Sequence, residues 1–438
     1  MKAFLAFSEN LISGMLPFVF LTVCGLYLTV KCRFFQFRFL PASLKYALGG
    51  MKKSRSESGV SPFQAACTAL SATVGTGNIA GVAGAVAIGG AGAVFWMWVS
   101  AFAGMIVKSA EILLSLEYRE KAGGEYMGGP MYYIKNGLPK IFAPLSILYA
   151  AAAVPAVFCS GNLTQTNAAV LSFGENNLTK LIGGIFFAAV TAAVLSGGAR
   201  RVGNFTGKIV PFMAVLYLIM TLGIICADIS RLPKALSMIF EGAFKPAAVT
   251  GGAVGSLSAA VLTGASRGVF SNEAGLGTSA MAHSSSAYTD GARQSLFGIF
   301  EVFVDTVVIC TLTAVSLLCS GVGIEYGRAA SSELVSSAFA TLYGKYSFIL
   351  LAVMMCLFGL SSVIGWGYYG TVASGFLFGK NGKRLFLVLY PLICIPGALI
   401  NADAAWRLSA FFNGILLCIN VTAVLLMSDT AVSRLKTL

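Results

Sequence analysis

Two six-residue stretches nearly two hundred positions apart carry one pattern: Gly77-Asn78-Ile79-Ala80-Gly81-Val82 and Ser271-Asn272-Glu273-Ala274-Gly275-Leu276. Each is a small residue, Asn, any residue, Ala, Gly and an aliphatic, and each interrupts an apolar segment. Such residues at membrane depth leave backbone groups without partners unless the helix breaks beside a polar cavity. A broken helix supplies two tools. The half starting near Asn78 aims free N–H groups and its positive dipole end at the gap, which suits a carboxylate. The half ending near Val74 offers unpaired carbonyls, which suit a small hard cation. A zwitterion with Na⁺ would satisfy both without any charged side chain. Two corresponding breaks point to a substrate site between internal repeats.

The other mid-span polar residues are mainly neutral: Thr73, Gln165, Asn167, Ser361 and Ser362. Gln165 could contact a ligand or bridge two helices. Ser361 and Ser362 could bond to carbonyls of their own helix, or their hydroxyls could complete a cation cage. Trp366 stands between Gly365 and Gly367, which clear space beside it, so the indole fits a wall that limits ligand size. It could equally be a packed aromatic. The charged candidates within apolar spans are Lys108, Glu111, Arg267, Glu273, Glu301 and Asp305. Spacing suggests a Lys108–Glu111 pair, a repelling Glu301–Asp305 pair, and an Arg267–Glu273 pair holding the second break open. Catalytic constellations are poor. His283 is the only histidine, and no Walker loop, HExxH or CxxC stands in the chain. An enzyme is not expected.

These residues need helices to position them, and composition supplies membrane-spanning ones. The chain is 57% hydrophobic and 11% charged, against roughly 25% charged for a soluble domain. Eleven apolar runs approach or exceed the ~20 residues that cross a bilayer: near 11–31, 62–90, 91–116, 141–171, 178–196, 204–229, 252–282, 294–320, 346–378, 385–401 and 405–427. Residues 1–61 read as an extra first span, an anchor rather than a cleaved leader, followed by a basic aromatic stretch along the interface. Two groups of five spans follow, 62–230 and 231–438. Five is odd, so the second group enters the membrane inverted.

The net charge of +13 reflects topology rather than nucleic acid. Basic residues such as Arg33, Arg38, Lys45, Lys121, Lys140, Arg200, Arg201 and Lys383 crowd the loops of one side. The positive-inside rule makes that side cytoplasmic, with the amino terminus outside and the carboxyl terminus inside. The ten cysteines lack disulfide or zinc spacing.

At these motifs the chain resembles the alanine or glycine:cation symporters, also called sodium:alanine symporters. The matching text is Ala69-Leu-Ser-Ala-Thr-Val-Gly-Thr-Gly-Asn-Ile-Ala-Gly-Val82, Phe95-Trp-Met-Trp98, Gly128-Gly-Pro-Met-Tyr-Tyr-Ile134, Arg267-Gly-Val-Phe-Ser-Asn-Glu-Ala-Gly-Leu-Gly277 and Gly365-Trp-Gly-Tyr-Tyr-Gly370. The resemblance implies an all-α polytopic membrane protein with the leucine-transporter-like five-plus-five inverted repeat and one extra N-terminal helix. It implies Na⁺-coupled uptake of small neutral amino acids, alanine (L or D) or glycine, across the cell inner membrane, with H⁺ in some members. No cofactor is implied beyond the coupling ion. Carried over by position, the substrate contacts would be Thr76, Gly77, Asn78, Gln165, Asn272, Gly275 and Trp366. The sodium site would use Ser71, Val74, Ser361 and Ser362. Alternatives are H⁺ coupling or another neutral amino acid such as glutamine or serine on the same scaffold, and more remotely a channel or a membrane enzyme.

Overall fold

The computed structural model describes residues 16–52, 59–122, 124–252, 256–288, 290–328, 332–400 and 402–438. Residues 1–15, with the start of the first expected span, and residues 53–58 lie outside them. The described chain is helical apart from one short hairpin, Glu120–Ala122 against Glu125–Met127.

Helix α1 (Leu16–Lys31) meets α2 (Phe35–Lys52) at an elbow of 86°. The first group of spans then begins with a broken pair, α3 (Pro62–Thr73) and α4 (Ala80–Gly89), bent by 57°. Ser61 starts α3 with a capping box: its hydroxyl accepts from the Gln64 N–H at 3.2 Å, and its own N–H donates to Gln64 Oε1 at 2.9 Å. Pro62 follows at the first helical position, where no amide is missed. The group continues with α5 (Ala93–Glu117), α6 (Pro130–Gly137) on its loop, α7 (Ala143–Ala156), a π-helical stretch Val157–Leu163, α8 (Thr164–Leu171), α9 (Asn177–Leu195) and α10 (Gly198–Ala227).

Helix α11 (Leu232–Phe244) leads to the second broken pair, α12 (Leu257–Asn272) and α13 (Thr278–Ser284). Helix α14 (Gly291–Val302) passes through a second π-helical stretch, Phe303–Cys310, into α15 (Thr311–Ser320). Helix α16 (Ser332–Tyr343) precedes α17 (Ser347–Leu392), which turns at Gly379 (φ 62°). Helices α18 (Cys394–Leu399), α19 (Ala402–Leu426) and α20 (Ser428–Leu435) complete the chain.

Seven uninterrupted runs among the described residues are long and apolar enough to cross a membrane, or nine when each bent pair counts as one. Eleven crossings were expected. The difference has a physical cause. One run, Ser332–Leu399, is 68 residues long, about 100 Å of helix against a ~30 Å hydrocarbon core, so it must cross more than once. The second broken pair is separated by residues 273–277, so neither half is by itself long enough to cross.

Apolar residues on the outer faces are exposed at helical spacing, as with Ile182, Ile185 and Phe186 on α9 and Phe212, Val215 and Ile219 on α10. These faces meet lipid. The interior runs opposite: Lys108, Glu111, Glu301 and Asp305 are wholly buried, and Glu273 nearly so. A chain that hides its charges and shows its aliphatics is built for a bilayer.

Candidate functional site

At the first break, α3 ends at Thr73 and Gly75 is extended (φ −130°, ψ −165°). Two amides freed there find side chains. The Gly75 N–H donates to Asn78 Oδ1 at 2.9 Å, and the Thr76 N–H donates to Gln165 Oε1 at 3.0 Å. The Thr76 hydroxyl donates to the same Gln165 oxygen at 2.9 Å. A single amide on α8 thus bridges to the break, as the bridging reading of Gln165 expects. The carbonyl of Val74 faces α17, where the Ser362 hydroxyl approaches it at 3.5 Å. A methyl group on Gly75 would stand 2.5 Å from that hydroxyl and 2.8 Å from Gln165 Oε1. Only glycine admits so close an approach of three elements.

The second break is held by different chemistry. Its chain turns through three left-handed residues, Glu273 (φ 55°), Gly275 (φ 85°) and Gly277 (φ 75°). Lys108 on α5 caps α12 by donating to the Asn272 carbonyl at 2.8 Å. Asn420 on α19 donates to the Gly275 carbonyl at 2.8 Å and to Glu111 Oε1 at 2.6 Å. The Tyr149 hydroxyl on α7 donates to the Leu276 carbonyl at 2.7 Å. Glu273 turns back onto its own segment and accepts from the Thr278 hydroxyl at 2.6 Å.

Asp305, in the π-helical stretch after α14, joins the two breaks. It accepts from Asn78 Nδ2 at 2.7 Å, from the Ser271 hydroxyl at 2.7 Å and from the Thr306 hydroxyl at 2.8 Å. Asn272 Nδ2 in turn donates to the Thr306 hydroxyl at 3.1 Å. This buried carboxylate has neutral donors from α12 and the first break around it, and no cation within ion-pair distance among the described residues.

Between the breaks lies a small cavity of about 10 Å³. That is room for a single water. Gly77, Gln165 and Trp366 line it, with Ser271 and Glu273 from the second break; Thr76 stands behind Gln165, bonded to it. Three expected substrate contacts are placed elsewhere. The Asn78 side chain is turned to Ser271 and Asp305, the Asn272 side chain to Thr306, and Gly275 towards Asn420. Ser160 and Phe270 also line the cavity, and sequence reasoning missed both. Phe270 stands just ahead of the second motif, so proximity was the available signal. Ser160 owes its place to the π-helical stretch, which nothing in the sequence announced.

The expected cation ligands divide similarly. Val74 and Ser362 face each other. The Ser361 hydroxyl instead donates to the Phe358 carbonyl at 2.9 Å and lies 3.4 Å from Met213 Sδ. Adjacent residues on a helix point about 100° apart, and here the two hydroxyls have different partners, Ser361 the Phe358 carbonyl and Ser362 the Val74 carbonyl. The Ser71 hydroxyl donates to Thr68 at 2.7 Å and approaches Gly365, about one turn along α17 from Ser362. Carbonyl and hydroxyl oxygens are the donors a small hard cation takes, so Val74 and Ser362 fit Na⁺. Trp366 packs with its Cβ against Gly161, where an added methyl would lie 2.2 Å away, and its ring centroid is 5.7 Å from that of Tyr369.

The expected charge pairs are replaced by tertiary ones. Lys108 pairs with Glu301 at 3.2 Å rather than with Glu111. Glu301 also receives His283 Nε2 at 2.6 Å, and Gln294 meets His283 Nδ1 at 2.9 Å. Arg267 lies over the Trp406 ring, 5.4 Å from its centroid, rather than against Glu273. Glu301 and Asp305 do not share a face: the wider turn between them sends one to Lys108 and the other to Asn78.

Comparison with known proteins gives this arrangement its setting. The model of the sodium:alanine symporter family matches residues 1–438. A sodium/alanine symporter of Methanococcus maripaludis is 37% identical, covering 98% of this chain and 95% of its own. A probable sodium/glutamine symporter of Bacillus subtilis is 34% identical, covering 98% and 89%. Among solved structures, MhsT in complex with L-phenylalanine superposes with a TM-score of 0.56 at 13% identity, covering 85% of this chain and 91% of that one. A manganese transporter of Eremococcus coleocola gives 0.53 over 85% of each chain. The fold is therefore leucine-transporter-like, and the family and the relatives named are transporters rather than enzymes. The chain is a multi-pass symporter that belongs to the sodium:alanine symporter family.

Proposed function

We propose that the chain couples movement of a small neutral amino acid, alanine first and glycine next, to the Na⁺ gradient by alternating access. The observation that carries this reading is the meeting of two broken helices at one cavity walled by neutral polar groups and Trp366, with Glu273 the one ionisable side chain in its lining. The first break supplies amides to a substrate carboxylate, released as Gln165 and Asn78 turn from them. The Val74 carbonyl and Ser362 hydroxyl hold the cation beside it. A cavity sized for one water excludes even alanine, so substrate enters only when α3 and α12 part on one side, as alternating access requires.

Counterflow of labelled alanine in proteoliposomes tests the reading: exchange should require Na⁺ and be competed by glycine. Equal exchange without Na⁺ overturns the sodium part. A second reading, H⁺ coupling, rests on Glu111, Glu273, Glu301 and Asp305 outnumbering Lys108, the one wholly buried lysine among the described residues. It would appear as uptake driven by a pH gradient alone. We place the protein in the cell inner membrane with its amino terminus outside. Cysteines introduced at Glu175 or Glu325 should then label from outside, and one at Gly382 should not.

A further inference from the structure

The elbow between α1 and α2 carries a cavity that transport does not use. Arg33 (φ 53°) and Phe34 (φ 58°) are consecutive non-glycine residues in the left-handed region, a strained conformation that persists only when its surroundings demand it. The turn sets α2 at 86° to α1, so α2 runs across the direction of the spanning helix. Its exposed Phe37 and Leu48, with Phe34 before it, are what an interfacial helix puts into lipid.

At the start of α2 lies a cavity of about 210 Å³ with a floor of buried Cys32, Phe35 and Leu435 and walls of Arg33, Arg38 and Lys436. No aspartate or glutamate is among the residues that line it. None of the three cations forms an ion pair among the described residues; Arg38 lies 5.5 Å from the Phe39 ring centroid. The first turn of α2 adds its positive dipole end. Phe39 and Leu438 are shared with a larger apolar groove of about 920 Å³ that runs to Tyr46, Phe63 and Phe297, with Lys45 and Arg293 at its rim. Arg293 pairs with Asp290 at 3.4 Å.

Three unpaired cations around a pocket joined to an apolar groove match a molecule with an anionic head and a hydrocarbon tail. We propose that this elbow binds an anionic glycerophospholipid, with its phosphodiester among Arg33, Arg38 and Lys436 and an acyl chain along the Phe39–Phe63 groove. The groove ends at Pro62 and Phe63, the first turn of α3. The lipid therefore joins the extra helix pair to the first broken helix, at the end opposite the break.

The purified full chain in neutral detergent is titrated with dioleoyl phosphatidylglycerol, dioleoyl phosphatidylcholine or glycerol phosphate while its unfolding temperature is followed. Phosphatidylglycerol should raise that temperature saturably and the other two should not. The variant Arg33→Gln/Arg38→Gln/Lys436→Gln should need about a hundredfold more phosphatidylglycerol, the scale of three juxtamembrane cations. A control, Lys140→Gln/Arg200→Gln, should behave as the unsubstituted protein. Native mass spectrometry with equimolar phosphatidylglycerol and phosphatidylcholine ranks the lipids without any variant, and a retained phosphatidylglycerol supports the site. An equal response to phosphatidylcholine, a response reproduced by glycerol phosphate, or an unaltered triple variant overturns the proposal. So does the absence of any shift, the outcome if another part of the chain already fills the groove.

Discussion

The two breaks share a motif and differ in what their glycines do. At the first, Gly75 has an ordinary extended backbone and is needed for space, because Ser362 and Gln165 press where a side chain would be. At the second, Gly275 and Gly277 are needed for conformation, because the chain turns through left-handed angles. The partners differ too: the amide of Gln165 and the hydroxyl of Ser362 meet the first break, with the Asp305 carboxylate on Asn78, whereas Lys108, Glu111 and Asn420 brace the second. Similar text in two halves of a chain therefore does not imply similar physics. One break is shaped by what approaches it and the other by its own backbone.

The sharpest way to break this contrast is to remove the charge that braces the second site. Lys108→Met leaves Glu301 and the Asn272 carbonyl without their cation, at a cost of about 3–5 kcal/mol. Thermal unfolding in detergent should show that loss, and Lys108→Met/Glu301→Gln should recover part of it. Next comes Gly75→Ala, whose methyl overlaps two side chains. Overpacking of this kind costs about 1–3 kcal/mol, and alanine uptake should fall below detection while Gly77→Ala, with its nearest neighbour 3.5 Å away, folds as the parent does. If Gly75→Ala transports normally, the crowding account is wrong.

Gly275→Ala probes the other mechanism. A left-handed alanine costs roughly 1–2 kcal/mol, so the unfolding midpoint should drop even though its new methyl meets only flexible side chains, Leu21 and Leu417. The smallest effect separates the paired serines. Ser362→Ala should raise the Na⁺ concentration for half-maximal uptake about fivefold, near 1 kcal/mol, and Ser361→Ala should leave it unchanged. Equal shifts in both would place Ser361 in the cation site after all.

The breaks were legible because glycine and asparagine contradict the apolar text around them. Gln165, Trp366 and Ser362 were legible as polar or bulky residues with cleared space or neutral company. Partners were harder. Lys108 was matched to Glu111 because they are three residues apart, but both face inward and their choices were made by α14 and α19. Asn420 was passed over although it is an amide within an apolar span, the same signal that exposed Asn78. The elbow at Arg33 and Phe34 carries no glycine or proline, so local chemistry gave no notice of it.

The π-helical stretches Val157–Leu163 and Phe303–Cys310 have a consequence for how this sequence can change. An i to i+5 turn houses one residue more than an α ladder of the same height, and it behaves as an insertion that was never smoothed away. Removing Phe303 or Val304, which lie between Glu301 and Asp305, would shorten the stretch and rotate everything before it by about 100° relative to everything after it. Glu301 could then stay with Lys108, or Asp305 with Asn78, but not both. Length in these two stretches is thus as strictly constrained as residue type elsewhere, and an alignment gap placed there would mark a rewired interior.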